Sequence, residues 1–135
     1  LISTLSLLDN VMLPLDFSFY FSAKSSRELA KQLFDEVGIS EHIYKLPSGI
    51  SGGQQQRTAI VRALINNPTI ILADEPTGRL DSVTSESIMQ IFEKLVVQGR
   101  TIIMVTHDES FIPRFSKVLF MEDGLIFPKN ASDKK

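Results

Sequence analysis

Asp74 and Glu75 directly follow the apolar run Ile70-Ile71-Leu72-Ala73, and His107 follows a second such run, Thr101-Ile102-Ile103-Met104-Val105, with only Thr106 between. A carboxylate that ends a buried strand is poorly placed for stability alone, because a desolvated charge is costly unless a cation or hydrogen-bond donors compensate it. Magnesium compensates in that way, since it takes one or two carboxylates and completes its shell with waters and substrate phosphates. Asp74 suits the metal, which leaves Glu75 to orient or deprotonate a water. A structural reading stands beside this one: the acid pair caps the turn at Pro76, and His107 is a loop cap or a surface group.

Ser51-Gly52-Gly53 opens a stretch of helical spacing. Unpaired backbone N–H groups, a serine hydroxyl and glycines that allow close approach together make an anion site at such a helix start. The alternative is an ordinary serine N-cap after a glycine turn.

The elements that must position these residues follow from periodicity. Ile70 to Ala73 and Thr101 to Val105 read as buried parallel strands, and in open parallel sheets ligands collect outside the carboxyl ends, which puts Asp74, Glu75 and His107 on one rim. Between them Val83, Ile88, Ile91, Phe92 and Leu95 recur at helical spacing, from Asp81 or Ser82 as cap to Gly99 as stop. Thr58 to Ile65 places Ile60, Val61, Leu64 and Ile65 on a helix that Asn66-Asn67-Pro68 ends. Upstream, Ser26 to Val37 sets Leu29, Leu33, Phe34 and Val37 on one face with Gly38 as stop. Leu5, Leu8, Met12 and Leu13 suggest a short helix that Pro14 ends or follows, with Ser3, Thr4 or Ser6 as cap. Val118 to Met121 and Leu125 to Phe127 flank Glu122-Asp123-Gly124, a hairpin signal. Lys129 to Lys135 is a polar tail.

Composition narrows the classes further. At 135 residues with 43% apolar content the chain is long enough for one core. A net charge of −2, with both signs scattered, gives no basic stripe for nucleic acid. Absence of cysteine excludes a disulfide framework and cysteine metal sites and fits a cytoplasmic protein. No apolar stretch reaches the roughly 18 to 20 residues of a membrane helix, so any membrane role is expected to be peripheral. The chain opens on Leu1 and runs directly into apolar sequence, which reads as an interior cut or a processed end, so it is expected to be a fragment.

Taken in order, Ile50-Ser51-Gly52-Gly53-Gln54-Gln55-Gln56-Arg57, Ile70 to Glu75 with Pro76, Gly78-Arg79-Leu80-Asp81 and His107 resemble the signature motif, Walker B strand with catalytic glutamate, D-loop and switch histidine of ABC transporter ATPases. The wording of Ser51 to Arg57 and of Ala73 to Gly78 is most similar to the lipoprotein-release and macrolide or peptide-export group. The resemblance implies an α/β fold of the P-loop NTPase type, in part: residues 1–66 a helical subdomain with the signature helix, 67–128 a portion of the catalytic core with a C-terminal hairpin, and 129–135 a tail.

For function it implies an ATP-hydrolysing subunit that pairs head to tail with a second such subunit and powers export through a transmembrane permease, without nucleic acid. Ser51, Gly52, Gly53 and Gln54 would bind nucleotide, Ser51 and Gly53 touching the γ-phosphate of ATP held by the partner. Asp74 would support magnesium, Glu75 would be the base or water-positioner, His107 would contact the γ-phosphate, and Asp81 would cross the dimer interface to couple the two sites. Phe17, Phe19, Tyr20 and Phe21 fall where such subunits meet the permease, as a docking patch or as subdomain core.

Departures from the pattern are Ile50 in place of leucine and Arg79 in place of asparagine. No Gly-x-x-x-x-Gly-Lys-Ser/Thr occurs in the 135 residues, and the resemblance puts the Q-loop glutamine and the adenine-stacking aromatic before Leu1. It also puts the phosphate-loop strand between Thr101–Val105 and Val118–Met121, so the sheet is expected to be split and the chain alone inactive. Two rivals remain: a truncated, non-hydrolysing interaction module, and a DNA-repair or chromosome-structure ATPase, which the absence of coiled-coil heptads disfavours.

Overall fold

The computed structural model describes residues 1–16 and 23–128. The aromatic run with Phe17, Phe19, Tyr20 and Phe21, and the polar tail from Lys129, lie outside the described residues.

Three helices form the first part. Helix α1 spans Leu7–Asp16, and the Ser6 hydroxyl caps it by accepting the Asp9 N–H at 3.1 Å. Pro14 lies inside this helix rather than ending it. Near the C-terminal end its missing N–H forfeits a single bond, and buried Leu15 holds the last turn on the core. The buried face is Leu7, Leu8, Val11 and Leu15, whereas Met12 and Leu13 are half-buried. Buried Asn10 ties the preceding segment down: its Oδ1 accepts the Ile2 N–H at 2.7 Å, and its Nδ2 lies 3.0 to 3.1 Å from the Ile2, Leu5 and Ser6 carbonyls.

Helix α2 spans Ala23–Glu36 and stops where expected. Gly38 takes φ +71°, its N–H donates to Asp35 O at 2.9 Å, and the Ile39 N–H donates to Phe34 O at 3.1 Å. This is the paired bonding by which a left-handed glycine satisfies a helix's last carbonyls. Helix α3 spans Gly52–Leu64. Leu33, Phe34 and Val37 of the α2 region pack with Ile60, Val61, Leu64 and Ile65 and with the α1 face in one core.

A strand–helix–strand unit follows as expected: β1 (Ile70–Asp74), α4 (Ser82–Val97) and β2 (Thr101–Val105). The strands are parallel, with Ile70 opposite Thr101 and Asp74 opposite Val105. Burial departs from the expectation of strands covered on both faces. Ile71 is buried and Ala73, Ile102 and Met104 are partly buried against the core shared with α4, while Leu72 is 76% and Val105 59% exposed on the opposite face. Alternation sends successive side chains to opposite faces, and no described element covers the second one. Val83 likewise leaves the expected apolar stripe at 79% exposure; the inward positions of α4 are Ser85, Ile88, Met89, Phe92 and Leu95.

Strands β3 (Leu119–Glu122) and β4 (Leu125–Pro128) form the antiparallel hairpin read from Asp123-Gly124. Both turn residues have positive φ, 48° and 77°, which a two-residue hairpin turn of matching twist requires. The hairpin and the β1–β2 pair are separate two-stranded sheets, in agreement with the expected split.

Candidate functional site

Strand β1 ends in an abrupt change of direction. The Glu75 N–H continues the ladder by donating to Val105 O at 2.9 Å, and Glu75 itself then takes φ +44°. Few non-glycine residues adopt this left-handed conformation, which costs on the order of 1 kcal/mol or more and clusters at functional positions. A turn closes behind it, the Gly78 N–H reaching Glu75 O at 3.2 Å.

The turn brings Glu75 to His107, which lies just past β2. Glu75 Oε1 stands 2.7 Å from His107 Nδ1 and accepts the His107 main-chain N–H at 3.0 Å. With a carboxylate as acceptor, Nδ1 is the protonated ring nitrogen and Nε2 remains for another partner. The Glu75 hydrogen bond, its negative charge and, to a lesser extent, that of Asp108 raise the His107 pKa above its ordinary value. The other oxygen, Glu75 Oε2, is buried without a hydrogen-bond partner among the described residues. A Cβ at residue 78 would stand 3.4 Å from it, so Gly78 leaves room for the carboxylate.

His107 is held from its own loop as well. The Asp108 N–H donates to Thr106 Oγ1 at 3.1 Å, and Asp108 Oδ1 accepts the Ser110 N–H at 2.9 Å together with the Ser110 hydroxyl. These Ser110 bonds lower the Asp108 pKa. An open cleft of about 490 Å³ lies over the rim, lined among others by Glu75, Gly78, Leu80, Ser82, Glu86 and His107.

The Ser51 turn is a second group, outside that cleft. Ser51 Oγ accepts the Gln54 N–H at 3.3 Å, and Gln54 Oε1 accepts the Ser51 N–H at 2.9 Å, a reciprocal capping box. The serine cap envisaged from sequence is therefore present, and it leaves the serine exposed at the helix start. Buried Gly53 lies against α4, and a Cβ on Gly52 would stand 3.5 Å from Leu80 Cδ2.

Residues 78–84 thus run between the two groups. Asp81 caps α4 with both oxygens: Oδ1 accepts the Thr84 N–H at 2.9 Å and Oδ2 the Thr84 hydroxyl at 2.6 Å. These bonds lower the Asp81 pKa. Asp74 ends β1 exposed, and its side chain makes no hydrogen bond or ion pair among the described residues.

Three contributors were not anticipated. Arg57 Nη1 donates to Val37 O and its Nη2 to Ser87 Oγ, joining α3 to the end of α2 and to α4. Arg114 Nε donates to Glu93 Oε1 at 2.6 Å, and its Nη atoms bind both Glu86 oxygens at 2.6 and 3.0 Å, pinning the turn Glu109–Arg114 to α4 beside the cleft. Thr84 carries the Asp81 cap. Arg57 and Arg114 link residues far apart along the chain, which spacing does not signal, whereas Thr84 lies three residues from Asp81.

The profile of the family described as ABC transporter matches residues 1–78, more than half of the chain. A macrolide export ATP-binding/permease protein of Syntrophobacter fumaroxidans is 45% identical over 134 residues, 98% of this chain and 19% of that protein. An uncharacterized ABC transporter ATP-binding protein of Thermotoga maritima is 42% identical over 126 residues, 93% of this chain and 53% of that protein. Among solved structures, an ATP-binding cassette crystallised as a dimer in a post-hydrolysis state with ADP and Pi superposes with a TM-score of 0.80 at 42% identity, over 92% of this chain and 55% of the cassette. The chain therefore spans about half the length of the ATP-binding proteins that it matches and about a fifth of the fused export protein.

Proposed function

Because the chain belongs to the ABC transporter family, we propose that it is the signature-bearing portion of a subunit that hydrolyses ATP to drive export through a membrane permease. The observation that carries this reading is the Glu75–His107 pair on the carboxyl rim of two parallel strands, together with the capped Ser51 turn, whose residues do not line the cleft.

On this reading Glu75 positions or deprotonates the attacking water, and His107, held by Oε1 and by the Asp108 loop, offers Nε2 to the γ-phosphate. Phosphoryl transfer asks mainly for such positioning and for neutralisation of charge. Asp74 is exposed rather than desolvated as expected and does not itself line the cleft, but it directly precedes Glu75 and its carboxylate has no hydrogen bond or ion pair among the described residues, which leaves it able to support magnesium. Magnesium, when bound, would neutralise the phosphates of the substrate. Since Ser51, Gly52, Gly53 and Gln54 do not line the cleft with Glu75, they suit the nucleotide of a second, head-to-tail subunit, and Asp81 suits the crossing between the two. Residues 1–66 then serve as the helical subdomain and 67–128 as part of the catalytic core.

No helix among the described residues is long and apolar enough to cross a membrane; on this reading the subunit works in the cytoplasm, on the inner face of the membrane, with the permease supplying the path. Similarity to a relative named for macrolide export supports an export role over a DNA-repair role.

Mixing tests the arrangement. In intact subunits, each including a phosphate-binding loop, Ser51→Arg and Glu75→Gln should each abolish Mg-ATP turnover. Mixed in equal amounts, the two should recover part of it, because one site of the mixed dimer keeps both native groups. Failure to recover would place both groups on the same nucleotide and overturn the head-to-tail reading.

A further inference from the structure

We infer that Thr84 is a positioning residue for the Ser51–Gln54 turn, an inference that rests on the function just proposed. A Cβ added at Gly53 would stand 2.4 Å from Thr84 Cγ2, a separation that real side chains do not adopt. Gly53 is buried there. The position needs glycine because the methyl group of Thr84 fills the space of its side chain, so helix packing within the subunit by itself imposes the requirement.

Thr84 does a second thing with its remaining groups. Its hydroxyl and main-chain N–H bind the two oxygens of Asp81, at 2.6 and 2.9 Å. A β-branched side chain has its methyl and hydroxyl fixed relative to one another by one torsion. The hydroxyl locked on Asp81 therefore aims the methyl at Gly53. Leu80 adds a second point of contact, its Cδ2 standing 3.5 Å from the Cβ position of Gly52. The start of α3 is thereby registered on the start of α4, and through residues 78–81 on the turn of Glu75. A shift of the Asp81 segment moves the Ser51 turn with it.

The same distances define a test. With Thr84 Cγ2 removed, the nearest atoms to a Cβ at residue 53 are Thr84 Cβ at 3.8 Å and Oγ1 at 3.9 Å, which is ordinary contact. Gly53→Ala combined with Thr84→Ser moves the methyl from one helix to the other and keeps the hydroxyl on Asp81. In the intact subunit, Gly53→Ala alone is expected to melt roughly 5 °C lower, on the scale of an overpacked contact in a domain of this size. Its kcat should fall about 10- to 100-fold, as for a small misplacement of a positioning group, with KM for Mg-ATP changed less than about twofold. Adding Thr84→Ser should bring the melting temperature to within about 2 °C of the Thr84→Ser single variant and raise kcat above that of Gly53→Ala.

A double variant no more stable and no more active than Gly53→Ala would overturn the inference, since the glycine would then answer to something other than Thr84. Absence of turnover in the wild-type subunit would count against the proposed function alone; the melting temperatures decide the Thr84 contact by themselves.

Discussion

Glu75 meets His107 twice through one oxygen: Oε1 lies 2.7 Å from the ring Nδ1 and accepts the main-chain N–H at 3.0 Å. The ring contact favours the charged imidazolium, and the main-chain bond keeps the carboxylate in place for it.

The His107 pKa is raised by that hydrogen bond first and by the charge of Glu75 second. A group with a raised folded-state pKa contributes stability that is fully present below its unfolded value, 6.5 for histidine, and lost as pH rises through the higher folded value. The melting-temperature gap between wild type and His107→Gln should accordingly shrink across that window. An NMR titration of the ring should have its midpoint above 6.5 in the wild type and lower in Glu75→Gln. A midpoint at or below 6.5 in the wild type would rule out the pairing.

Arg57 joins the end of α2 to α4, and hydrogen bonds from a charged donor contribute about 2 kcal/mol when one partner is removed. Arg57→Ala should destabilise by roughly that amount, and Arg57→Ala with Ser87→Ala should fall short of additivity by about 1 kcal/mol. Denaturant unfolding of the four proteins measures both quantities. Strict additivity would show that the Ser87 contact carries no energy.

What was legible in the sequence was local. The strand–helix–strand unit, the Asp123-Gly124 hairpin, the Gly38 stop and the Asp81 cap all depend on residues a few positions apart, and each formed as read. The rim was legible too, because two apolar runs each followed by acidic or histidine residues dictate where Asp74, Glu75 and His107 fall. Exposure of Leu72 and Val105 was not legible: an apolar run shows that a strand can be covered on both faces, and says nothing about whether this chain supplies the cover. The partners of Arg57 and Arg114 and the contact of Thr84 with Gly53 escaped for a related reason, since they are chosen by helix packing. Pro14 was misread because a proline near a helix end costs only one bond, and burial of the following leucine outweighs it.

The 135 residues contain no phosphate-binding loop of the P-loop type. Mg-ATP titrated calorimetrically into this chain by itself is expected to give neither micromolar affinity nor turnover, since backbone donors and a lysine that cradle the phosphates are needed for positioning. Micromolar binding with magnesium-dependent hydrolysis would mean that the rim and the Ser51 turn form a complete site.

The most direct measurement is Mg-ATP hydrolysis by the intact subunit with Glu75 changed to glutamine. Shape and hydrogen-bonding capacity survive this change while basicity is lost, so ATP binding should persist and kcat should fall by about 10²- to 10⁴-fold, the range for a general base. Turnover within a few-fold of wild type would contradict the assignment of Glu75 and, with it, the reading of the rim as a catalytic site.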